Sequence, residues 1–145
     1  MFREAYAFRR CIVPVDGFFE WRAIRGARAK QPYAIAMKSG QPFALAGICE
    51  NWQKPGTEEW LRSFAIVTTV ANDLVRDIHD RMPVIVPLAS YDRWLSAIEP
   101  DPRDMLVPYS PKLIRMWPIS TRVNKPDHDD PAILEPLQET EQSLL

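Results

Sequence analysis

Turn signals divide the first seventy residues of this chain into apolar runs of strand length. That spacing leaves few folds open. Residues 10–15 (RCIVPV) read as a short buried strand that stops at the turn pair Asp16-Gly17, and residues 18–22 (FFEWR) as the strand paired with it. Residues 26–30 form a basic hairpin loop, and residues 32–37 (PYAIAM) the next strand, closed by Ser39-Gly40. Residues 42–52 (PFALAGICENW) make another, in which Gly47 marks a bulge or a close backbone approach. A polar loop around Pro55-Gly56 then leads into a strand over residues 60–69. The 14 prolines are dispersed through loops, where they fix turns, and form no low-complexity tract.

The stretch over residues 64–86, FAIVTTVANDLVRDIHDRMPVIV, delivers polar groups to one place on ordered elements. An apolar strand ends at Thr68-Thr69, and residues 71–78 read as a short helix with Asn72 as its N-cap. His79-Asp80-Arg81 follows, then a strand over residues 82–87 entered through Pro83. Residues 88–96 place Leu88, Tyr91 and Leu95 at helical spacing, residues 104–106 begin a helical turn, and residues 113–119 form a last strand before a Pro-rich, acidic tail. Several strands with a few short helices define an α+β domain with a mostly antiparallel sheet.

The bulk numbers restrict the class further. A chain of 145 residues that is 46% apolar and 26% charged is expected to be globular, with a core of its own. No apolar run is long enough to span a bilayer, and the opening MFREAYAFRRC has no signal-peptide core, so a cytoplasmic setting without membrane is expected. Two cysteines make no disulfide framework, and no Cys/His spacing names a metal or a cofactor. The net charge of −1 is no signature of a strongly basic nucleic-acid binder, yet its distribution is uneven. Residues 1–30 carry seven Lys/Arg against three acids, whereas residues 127–145 carry six acids and no Lys/Arg. A positive face and a merely solvated one both fit that pattern.

Glu20 stands among aromatics in FFEW. Desolvation there would raise its pKa and suit general acid/base work, while strand alternation would instead set it beside Phe18 and away from Phe19 and Trp21. His79 has Asp80 to orient its ring and Arg81 to bind an anion, and a purely structural histidine fits the same pattern. Thr68 and Thr69 offer hydroxyls to a phosphate or serve as ordinary strand residues. Trp21 and Trp52 can stack bases if exposed. Cys11 and Cys49 read as buried thiols, and His128 as a solvated residue of the tail.

Together, RRCIVPVDGFFEW, FALAGICENW, FAIVTTVAND, IHDRMPVIV and PISTRVNKPDHDDPAILEP resemble the SRAP domain (SOS response-associated peptidase) in order along almost the whole chain. Members of that family shield abasic sites in single-stranded DNA. The resemblance implies a strongly curved, barrel-like, mostly antiparallel sheet. It also implies a covalent thiazolidine formed between an abasic-site aldehyde and an N-terminal cysteine exposed by self-processing. Glu20 corresponds to the family's acid/base glutamate, His79 to the histidine that assists ring-opening and Schiff-base steps, and Thr68 and Arg81 to DNA-backbone contacts. Trp21 and Arg10 are further expected DNA contacts. The chemistry it implies needs neither metal nor cofactor.

Against that pattern, residue 2 is Phe2, and the family's opening Met-Cys-Gly-Arg has no counterpart. Residues 1–137 therefore read as the C-terminal two-thirds or so of the domain, with residues 138–145 as a polar tail. The expected partners are abasic single-stranded DNA, with nucleoid association when bound, and a second copy or another protein covering the face the missing segment would leave open. The readings left open are an abasic-site enzyme, a non-covalent single-strand-binding module in which Arg9, Arg10 and Arg81 hold the backbone, and an inactive fragment.

Overall fold

The structure, a computed structural model, describes residues 2–98 and 101–137; the polar tail expected at residues 138–145 lies outside them. In chain order the elements are α1 (Arg3–Phe8), β1 (Arg10–Val15), β2 (Phe18–Ala23), β3 (Lys30–Met37), β4 (Phe43–Gln53), β5 (Trp60–Ile66), β6 (Thr68–Val70), β7 (Arg81–Pro83), β8 (Ile85–Val86), α2 (Tyr91–Leu95) and β9 (Ile114–Pro118). Single 3-10 turns lie between several of them. Every strand pair among the described residues is antiparallel. The pairs form three sheets: β1-β4-β5 with β8 also against β4, then β2-β3-β9, then the ribbon β6-β7. The mixed, mostly antiparallel class expected from the sequence is the one observed, and no closed barrel forms among the described residues. No helix there is long and apolar enough to cross a membrane.

The chain divides into two compact units. The first comprises Met1–Val15, Pro42–Val70 and Arg81–Tyr109. Its core packs Ala46, Val84, Val86 and Trp94 with Tyr6, Ile12, Val67, Tyr91, Met105 and Leu106. Trp94 is fully buried, and its indole N–H is satisfied by the carbonyl of Cys11 at 2.8 Å. Gly47 sits where β1 and β4 approach closely: a Cβ there would stand 2.8 Å from Cys11 Sγ. The sequence leaves a bulge or a close backbone approach open at this glycine; what crowds it is the Cys11 side chain.

The second unit comprises Asp16–Gln41, Ala71–Asp80 and Ser110–Leu145. Its central strand β3, between β2 and β9, buries Ala34, Ile35, Ala36 and Met37 in succession, so both of its faces are covered there.

Three local expectations change, and one helix is new. Residues 10–15 and 18–22 are not partners: β1 pairs with β4 and β2 with β3, so Asp16-Gly17 is where the chain passes between units and closes no hairpin. The strand over residues 60–69 breaks at Val67, whose N–H turns to the carbonyl of Ala46 while its own carbonyl accepts from Val84. The helix expected over residues 71–78 shrinks to a 3-10 turn, Val75–Asp77. There Asn72 Oδ1 accepts from the N–H groups of Leu74 and Val75, as the expected cap would. Helix α1 has no counterpart in the sequence reading; no side chain caps its start, and Arg10 caps its end through the carbonyls of Tyr6 and Ala7.

Candidate functional site

Strand alternation decides the surroundings of Glu20. The rings of Phe19 and Trp21 meet edge to face at 6.5 Å, so they share one face of β2, and Glu20 lies on the other with Phe18 and Arg22. Across the ladder it stands opposite Tyr33, and the Arg22 guanidinium lies 5.3 Å from that ring. Glu20 keeps only 22% of its side-chain exposure, and Oε1 accepts from the N–H of Trp21 at 3.4 Å. Of the two surroundings open from FFEW, Glu20 thus has the one that alternation implies, beside Phe18 and away from Phe19 and Trp21, with Tyr33 and Arg22 added.

His79 reaches Glu20 from the segment after β6. That segment is fastened at three points: buried Asn72 caps the 3-10 turn, the His79 N–H donates to Val75 O at 2.9 Å, and the Ala71 N–H donates to Asp80 O at 2.9 Å. Val75 and Ile78 anchor it through burial. His79 Nε2 lies 3.9 Å from Glu20 Oε1, and Nδ1 lies 3.4 Å from Asp80 Oδ1. One carboxylate therefore faces each ring nitrogen, from Asp80 on the solvent side and Glu20 on the sheeted side. The Glu20 contact is at ion-pair distance and too long for a hydrogen bond.

In the first unit, Thr68 and Arg81 come together on the β6-β7 ribbon. Arg81 Nη2 donates at 2.7 Å to both the carbonyl and the hydroxyl of Thr68, and both residues are exposed. Thr69 points inward, and its hydroxyl donates to Leu106 O at 3.0 Å. Only Thr68 of the threonine pair is thus presented to solvent with a cation beside it.

Arg10 is engaged within the fold. Its guanidinium donates to the carbonyls of Trp94, Tyr6, Ala7 and Ser96 and lies over the rings of Tyr6 and Trp94. These contacts make it a half-buried clamp on the ends of α1 and α2. Arg9 pairs with Glu50 at 2.8 Å. Trp21 is half-buried, with its indole N–H on Asn124 Oδ1 at 2.8 Å, on the strand face away from Glu20. His128 is not merely solvated: its Nδ1 lies 2.9 Å from Arg122 O. Cys11 is half-buried, and burial together with neighbouring Cys49 pushes its thiol pKa up, which favours the inert thiol. Asn124, Tyr33 and Arg22 lie beyond what sequence reasoning had found, because cross-strand register brings them in and no motif marks it.

The profile of the SOS response associated peptidase (SRAP) family matches residues 1–126. Abasic site processing protein YoqW of Bacillus subtilis is 36% identical over 137 residues, covering 92% of this chain and 60% of the relative. Abasic site processing protein HMCES of Gallus gallus is 31% identical, covering 90% of this chain and 44% of the relative. The crystal structure of a protein from Bacteroides thetaiotaomicron superposes with a TM-score of 0.86 at 31% identity, covering 94% of this chain and 60% of that one. The chain belongs to the SRAP family. It spans about 60% of the length of the bacterial relative.

Proposed function

We propose that this chain takes part in processing abasic sites in single-stranded DNA, with Glu20 and His79 as the acid/base pair and Thr68 and Arg81 as backbone contacts. The observation that carries the reading is the 3.9 Å approach of His79 Nε2 to Glu20 Oε1. The abasic-site names of relatives matching most of the chain support the choice of substrate.

An abasic deoxyribose is mostly a closed hemiacetal, and its aldehyde must be released before any amine can capture it. In that step the C1′ hydroxyl loses a proton to a base, the C1′–O4′ bond breaks with its electron pair going to O4′, and O4′ gains a proton from an acid. Two facing groups, one carboxylate and one imidazole, supply the base and the acid without net proton gain. Glu20 and His79 thus perform ring-opening, and Thr68 and Arg81 hold the strand. The amine and thiol of the thiazolidine that the family resemblance implies, and the self-processing that exposes them, are assigned to none of these residues. A non-covalent binding role is the alternative, favoured by the exposed Arg81 guanidinium beside the Thr68 hydroxyl.

The test is an oligonucleotide carrying one abasic site, incubated with the chain and run on denaturing and native gels. A band that survives denaturation supports covalent processing, and one seen only on the native gel supports the binding role. No shift on either gel at low salt contradicts both.

A further inference from the structure

We propose that one face of the β4-β5 hairpin is a base-stacking platform for single-stranded nucleic acid, built from Trp60, Arg62 and Phe64 and bordered by Asn51 and Gln53. The choice of nucleic acid as occupant rests on the function proposed above; the platform itself is separate from Glu20 and His79.

Alternation along β5 sends Trp60, Arg62 and Phe64 to the same side. The register sets Gln53 opposite Trp60 and Asn51 opposite Arg62, so these two amides share that side. The Arg62 Nε–H donates to Asn51 Oδ1 at 3.2 Å, as side chains on one face must. Trp60 is 63% exposed and Phe64 61%, each with a large ring left in water. Four residues of strand set the two aromatic positions about 13 Å apart along β5, with a guanidinium between them.

That alternation of ring, cation, ring has the composition of a single-strand platform. Bases stack on aromatic rings irrespective of sequence, and an arginine between them stacks or meets phosphate. Asn51 and Gln53 add donors and acceptors for base edges. The charges agree. Glu59 is paired with Lys54 at 3.6 Å and Glu50 with Arg9 at 2.8 Å, while Arg62 meets a neutral amide and pairs with no carboxylate among the described residues. Glu58 lies in the hairpin tip, beyond the ladder. The opposite face of the hairpin pairs Trp52 with Leu61 and carries no cation between them, so the platform composition belongs to one side only. Past Ile66 the same chain reaches Thr68 and its Arg81 contact within the same unit, so a strand stacked along β5 has a backbone contact ahead of it.

The test is fluorescence anisotropy with undamaged oligothymidine, alongside sedimentation. Trp60→Ala and Phe64→Ala are each expected to weaken binding about 5- to 100-fold, the loss of one stacked base. Trp60→Tyr is expected to retain most of the affinity, which separates stacking from misfolding. Wild-type affinity in the Trp60→Ala/Phe64→Ala double variant overturns the platform. So does a wild-type chain that binds no oligothymidine and self-associates only while Trp60 and Phe64 are present, because the face then belongs to a second copy. If abasic-site processing fails while oligothymidine binding still depends on Trp60 and Phe64, the platform stands and the acid/base reading falls; abasic processing with oligothymidine binding indifferent to both rings gives the converse.

Discussion

His79 Nε2 faces Glu20 Oε1 at 3.9 Å, although one residue comes from the middle of β2 and the other from the fastened segment after β6. Neither position is dictated by its neighbours in sequence. The β2-β3 register turns Glu20 away from Phe19 and Trp21, and the Asn72 cap with buried Val75 brings His79 round to meet it. Asp80 Oδ1 stands 3.4 Å from Nδ1, on the other side of the ring.

Arg81 is exposed, so its removal acts on binding and hardly on folding. Arg81→Ala is expected to change stability by no more than about 0.5 kcal/mol. It should weaken single-stranded DNA binding and reduce the slope of log affinity against log salt by about one phosphate contact. Titrations at several salt concentrations read that slope directly.

Arg10 gives the opposite outcome. Arg10→Met removes a cation that serves four carbonyls at the ends of α1 and α2 and is expected to cost about 3 kcal/mol in urea unfolding. The folded fraction should bind DNA as the wild type does. An unchanged urea midpoint would remove Arg10 from its clamping role.

Gly47 has no room for a side chain. Gly47→Ala drives a methyl against Cys11 Sγ and close to Val13 Cγ2, and is expected to destabilise the fold by about 1–3 kcal/mol. The double variant with Cys11→Ala should recover part of that loss in a mutant cycle.

Tyr6 supplies a pH dependence at the alkaline end. Burial and then its hydrogen bond to Asp101 push the Tyr6 hydroxyl up to about 12, from an ordinary value of about 10. A raised folded value means its contribution to stability is complete below about pH 10 and disappears as pH rises through about 12. Asp101, held down mainly by that same hydrogen bond, contributes above the ordinary carboxylate range and loses its contribution as pH falls through its lowered value. Thermal unfolding followed with pH should show both losses in the wild type; in Tyr6→Phe the alkaline loss should be absent and the acid one reduced, because Arg103 still faces Asp101. Identical profiles in the two proteins would contradict the pairing.

Much of the fold was legible because local rules govern it. The turn pairs Ser39-Gly40 and Pro55-Gly56 fall between strands as their chemistry requires, with both glycines at positive φ, and Gly47 marks a close approach. What was not legible is set by long-range pairing. Nothing in RCIVPVDGFFEW states that β1 joins β4 while β2 joins β3. The role of Arg10 depends on carbonyls from Trp94 and Ser96, far along the chain. Of the candidate site, Glu20 and His79 could be picked out as residue types, and Thr68 with Arg81 as a resemblance. Their distances, and the partners Tyr33, Arg22 and Asn124, follow from register alone.

The most direct measurement of the central claim needs no covalent nucleophile from the protein. A small alkoxyamine captures the open aldehyde of an abasic oligonucleotide, and with capture reagent in excess its rate reports ring-opening. The chain is expected to accelerate that capture, with Glu20→Gln and His79→Ala each lowering the acceleration about 10²- to 10⁴-fold or to background while the fold is retained. Capture at the same rate with wild type, either variant or no protein would contradict the assignment of Glu20 and His79 as an acid/base pair.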